Sequence, residues 1–148
     1  MKKSFITAVL LAGSLYAGQT TKGTETLSGD LRSLLTMEML QIEKGMHKIF
    51  SHMVRGEYQE VNKIALNIRD SFILKKRLSK LQKAELKTKL PKSFLELDQS
   101  FHETAGDLAN AAEFGDKDTV VEYYQKMVGK CVQCHSKFAT HRFENFED

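Results

Sequence analysis

Residues 129 to 138, "GKCVQCHSKF", hold both cysteines of the chain and one of its five histidines. Cys131 and Cys134 are three positions apart, and His135 follows at once. On a helix, side chains three and four positions apart emerge around one sector, so both thiols and the imidazole would face the same way. C-x-x-C-H at this spacing is the attachment signature of c-type haem. The thiols become thioethers with the porphyrin vinyl groups, and the adjacent imidazole ligates the iron axially. Cysteines used in this way need no disulfide partner.

Three other chemistries compete for these residues. Zinc could draw on Cys131, Cys134, His135 and His141, but structural zinc sites use two ligand pairs fixed by separate turns, and this set lies along one helix. A redox C-x-x-C normally sits where a strand enters a helix in a βαβ pattern, which the sequence lacks. A plain disulfide across Cys131 and Cys134 leaves His135 without a role.

The elements that must position this cluster read as helices. Leu35, Met39, Ile42, Met46, Ile49 and Met53 recur at steps of four and three, predicting one apolar stripe on a helix over about 29–55, ended by Gly56. Val61, Ile64, Ala65, Ile68 and Phe72 predict a second, antiparallel to it. The lysine-dense stretch over about 75–90 reads either as a loop with a helical turn or as an extension of the second helix. Pro91 suits the first turn of a third helix carrying Phe94, Leu97, Phe101, Ala105, Leu108 and Ala112, closed by Gly115. Thr119 and Glu122 are spaced as a capping box for a fourth, with Val120, Tyr124, Met127, Cys131, Cys134 and Phe138 on one stripe. No alternating runs or hairpin signals interrupt this pattern. The expected fold is all-α, an antiparallel up-and-down four-helix bundle with covalently attached haem c.

Residues 1–17 read as a secretory signal: a basic Met1-Lys2-Lys3, an apolar run from Phe5 to Leu15 too short to span a bilayer, and small residues around Ala17. Residues 18–148 then form the cytochrome domain, a length that suits one domain. Removal of Lys2 and Lys3 lowers the formal charge from +3 to +1, which argues against nucleic acid as a partner. Export to the periplasm agrees with the motif, since bacteria attach haem covalently on the outer side of the membrane.

With "CVQCH" on the last helix of an exported helical chain, and turns "MVRGEY" and "FGDKDT" around the first and before the fourth helix, the sequence resembles the cytochrome c prime family over essentially its whole mature length. The resemblance implies that a first-helix residue faces the iron on the side opposite the histidine. In some members this residue is apolar and non-ligating, leaving iron open to small gases; in others it is a methionine, as in electron carriers. Counting back from the glycine turn gives Leu40, and counting by the stripe gives Met39. The stripe is favoured because the side chain must point inward, while turn lengths vary. Met37, Met46, His47 and His52 compete; for His47, His52, His102 and His141 a solvated or locally bonded role is the default. Gas-binding members carry an arginine four residues after the haem histidine, where this chain has Ala139; Phe138 matches the family's aromatic one position earlier, and Arg142 could substitute only by another geometry.

The expected function is therefore a periplasmic monohaem c-type cytochrome that carries single electrons between redox partners, with His135 and Met39 as axial ligands. The alternative is a five-coordinate binder of nitric oxide or carbon monoxide. No acid, base or nucleophile constellation accompanies the cluster, so no enzyme is expected. Lys75, Lys76, Arg77, Lys80, Lys83, Lys87, Lys89 and Lys92 form a basic stretch suited to docking a redox partner, with a solvated connector as the plain reading. A homodimer is left open.

Overall fold

The computed structural model describes residues 23–71 and 78–146. The signal reading of residues 1–17, and the parts assigned to Phe72, Lys75, Lys76 and Arg77, lie outside the described residues. Within them the chain is all-α, without strands, and compatible with a helical bundle. Among the described residues five α-helices follow one another: α1 (Gly29–Met53), α2 (Tyr58–Asp70), α3 (Lys80–Lys89), α4 (Lys92–Glu113) and α5 (Lys117–Phe138). The count departs from the expected four because α3 is a helix of its own. Ser79 caps it, accepting from the Gln82 amide while the Gln82 side chain accepts from the Ser79 amide.

Local chemistry sets the other ends. Ser28 caps α1, and Pro91 stands just before α4. The Thr119 and Glu122 capping box is not the one used. Asp116 caps α5 instead, its carboxylate accepting from both the amide and the hydroxyl of Thr119. α1 and α4 end in the same way, with Gly56 at φ +72° and Gly115 at φ +67°, a left-handed conformation that favours glycine. In each, the residue after the glycine donates its amide back into the helix: Glu57 to the His52 carbonyl at 2.9 Å and Asp116 to the Ala111 carbonyl at 3.1 Å.

These turns fold α2 back on α1 and α5 back on α4. Gly45 lies close to Ile68, and Asn62 Nδ2 donates to the Ala109 carbonyl at 2.8 Å while His102 Nδ1 bonds the Ile68 carbonyl, so α2 also runs antiparallel to α4. Tyr124 Oη reaches the Met46 carbonyl, and Arg142 beyond α5 reaches Thr36, which makes α1 and α5 antiparallel neighbours too.

The interior divides into two apolar clusters. The larger joins α1, α2, α4 and α5 through residues such as Ile49, Val61, Leu108, Val120 and Met127. The smaller gathers Leu27, Leu31, Leu35, Leu86, Phe94 and Phe138, with α3 laid over it. The inward positions of α1 are Leu31, Leu35, Glu38, Ile42, Met46 and Ile49, which corrects the expected stripe. Positions 38 and 39 are both within a turn of Leu35 and Ile42, and hydrophobicity alone selects Met39; the structure buries Glu38 fully and leaves Met39 37% exposed.

The packing at Leu108, which is fully buried, generates a first prediction. Leu108→Ala should destabilise the chain by about 2–5 kcal/mol, and Leu81→Ala, at an exposed position of α3, by less than about 0.5 kcal/mol. Urea unfolding followed by circular dichroism checks both.

Candidate functional site

Where the two apolar clusters meet there is a small cleft of about 40 Å³, open to solvent on one side. α5 contributes Cys131, Cys134 and His135 to its wall, and α1 contributes Met39. All four residues named by the motif and by the stripe reading thus line one cavity. Ile42, Leu97 and Phe101 supply apolar wall, and Lys130 and Asp98 are its charged members. Cys131 packs with the larger cluster and Cys134 with the smaller, so the C-x-x-C spacing bridges the seam.

The competing positions are elsewhere. Leu40 is 59% exposed and Met37 50% exposed, and neither lines the cleft. Met46 is buried in the larger cluster. His47 is exposed, His52 pairs with Glu57 at 2.6 Å, and His141 Nδ1 stands 3.4 Å from Glu25. His102 departs from the expected solvated or local role. It is buried, and its Nδ1 donates to the Ile68 carbonyl at 2.7 Å, a partner on another helix. A carbonyl only accepts, so Nδ1 carries a proton.

Sequence reasoning missed the polar layer at the level of the cleft. Glu38 Oε1 lies 3.8 Å and Asp98 Oδ1 3.9 Å from His102 Nε2, and all three side chains are nearly excluded from water. Asp98 Oδ2 is buried without a hydrogen-bond partner among the described residues. Burial, with Glu38 adding its repulsion, pushes the Asp98 carboxyl up to about 7. The available signal was an i, i+4 pair, Asp98 and His102, inside a run of apolar helical positions.

The thiols are in a similar environment. Burial first, then Asp98 and Cys131, push the Cys134 thiol up to about 12, and burial raises Cys131. Both are free and stay protonated near neutral pH, which suppresses unassisted disulfide exchange. Burial, and then Arg142, lower the pKa of His135 and favour the neutral imidazole, the form that can donate a lone pair to a metal. Among the described residues no group of three or more His, Cys, Asp or Glu side chains is arranged to hold a bare metal ion. The donor set fits a haem instead: two neutral thiols for covalent attachment, a neutral imidazole beside them, and a thioether from a second helix, all on a largely apolar cleft.

Asp98 gives the site a pH signature. Unfolded, an aspartate loses its proton near 3.8; folded, Asp98 keeps it to about 7. The unfolded state therefore binds fewer protons between these values, so stability falls as pH rises from about 4 to about 7 and then levels off. Asp98→Asn should remove that slope and stabilise the haem-free chain above pH 7, by about 4 kcal/mol at most. Denaturant midpoints of both proteins at pH 4.5, 6 and 8 check the sign.

In comparisons with protein-family models, with curated proteins and with solved structures, no match to this chain was found.

Proposed function

We propose that this chain is an exported, periplasmic c-type cytochrome similar to the cytochrome c prime family, carrying one covalent haem and passing single electrons between partner proteins. The observation that carries the reading is the convergence of Cys131, Cys134, His135 and Met39 on one cleft. The alternating directions of α1, α2, α4 and α5 suit the four-helix bundle of that reading, with α3 as an addition to it.

Haem c supplies a one-electron Fe(III)/Fe(II) couple when bound. Cys131 and Cys134 would hold it covalently, each thiol supplying the sulfur of one thioether. His135 would supply a ring nitrogen to the iron, and burial and Arg142 favour the neutral form that this needs. Met39 would supply its thioether sulfur, a soft ligand of the kind that favours the reduced metal and raises the potential. Ile42, Leu97 and Phe101 give the cleft an apolar wall, which would limit reorganisation between oxidation states on that side.

The surface of α3 supports the partner reading. Lys89 pairs with Glu85 at 3.1 Å and Lys92 with Glu96 at 2.8 Å. Lys80, Lys83 and Lys87, at i, i+3 and i+7, make no ion pair among the described residues and form one basic row. Such a row speeds encounter with an acidic partner.

Protein matured in a haem-attaching host should gain the mass of one haem that survives acid-acetone extraction, and Cys131→Ala with Cys134→Ala should lose it. The reduced wild type should be low-spin and take up carbon monoxide slowly. Met39→Ala should be high-spin when reduced, bind carbon monoxide readily and have a lower potential; Leu40→Ala should leave the spin state unchanged. A colourless wild type overturns the haem reading. A five-coordinate, high-spin wild type replaces electron transfer with the binding of small gases.

A further inference from the structure

The imidazole that lines the cleft is backed by an aromatic ring from beyond α5. His135 and Phe143 stack with ring centroids 4.3 Å apart and planes inclined by 18°. Phe143 belongs to a short segment of 3-10 turns, Thr140–Arg142 and Glu144–Phe146, that is tied down on several sides. The Ala139 carbonyl accepts from the amides of Arg142 at 2.9 Å and Phe143 at 3.2 Å. Arg142 Nη1 donates to Thr36 Oγ1 on α1 at 2.8 Å, and His141 faces Glu25 at 3.4 Å. Behind them Gly23 is pressed against the carbonyl of Phe138, leaving no room for a Cβ. The segment is a strap from the end of α5 to α1 and to the turn before it.

Stacking is suited to one task here. A hydrogen bond would orient the imidazole by engaging one of its nitrogens, whereas a stacked ring covers a face and leaves both nitrogens in the open ring plane. Phe143 itself is 40% exposed, so it contributes little as core and much as a backing for His135.

We propose that Phe143, held by this strap, is a positioning residue that fixes the plane of the His135 imidazole for axial ligation. The proposal rests on the haem reading. It acts through His135 and not through contact with the bound group. An aromatic pair of this kind shifts the balance between held and rotated imidazole by up to about tenfold.

The test uses the mature, haem-loaded protein. The wild type should give a single low-spin ferric electron paramagnetic resonance signal. Phe143→Leu should broaden or split that signal and shift the reduction potential; Phe143→Tyr, which keeps the stack, should restore the wild-type signal and potential. Thr36→Val, which removes the acceptor for Arg142 and leaves Phe143 in place, should have a smaller effect in the same direction. In the haem-free chain, the His135 ring protons should move downfield in Phe143→Leu and not in Phe143→Tyr, as the ring current is lost. A wild type without haem defeats the haem reading and the ligation role with it. A haem-loaded Phe143→Leu protein with unchanged signal and potential, or ring protons that do not move, overturns the positioning role alone.

Discussion

Two carboxylates taken out of water at one level of the interior set the terms for everything around them. An isolated charge buried among apolar side chains is far too costly to keep, so each such group must find a partner or hold its proton. Asp98 holds its proton to about pH 7, and Glu38 and Asp98 both face the Nε2 edge of His102. This layer lies where α1 passes from the smaller cluster, at Leu35, to the larger, at Ile42, and where α4 does so between Leu97 and Phe101. The cleft opens at this seam, where neither cluster fills the space.

α4 is the helix that reconciles these demands. Its small residues Ala105, Ala109 and Ala112 let α2 approach closely, while about two turns earlier it presents Asp98 and Leu97 to the cleft. His102 links the two functions. By donating to the Ile68 carbonyl in the last turn of α2, which also accepts from the amide and the hydroxyl of Ser71, it ties the polar layer to the neighbouring helix.

Much of this was legible in the sequence. The helical period, the two glycine turns and the Cys131-Cys134-His135 cluster needed only spacing and residue type, because a 3.6-residue repeat and a left-handed glycine are local properties. Met39 was selected for a reason that only partly survived. It lines the cleft, but the inward position beside it belongs to Glu38, and a rule that equates inward with apolar cannot find a buried acid. The polar layer depends on groups from α1, α2 and α4 meeting in space, which no single stretch encodes. α3 was ambiguous for a different reason: its lysines hide a weak stripe, and only the reciprocal cap at Ser79 and Gln82 marks it as a separate helix.

The division of the interior also sets how each thiol of the motif is covered. Both clusters close long stretches of chain: the larger packs Met46 and Ile49 of α1 with Val120 and Met127 of α5, and the smaller brings Leu27 and Leu31 together with Leu86, Phe94 and Phe138. Contacts that close such long stretches of chain carry a larger entropic cost and tend to form later. Cys131 is packed by the larger cluster and Cys134 by the smaller, so opening one cluster alone would bare one thiol of the motif and leave the other covered.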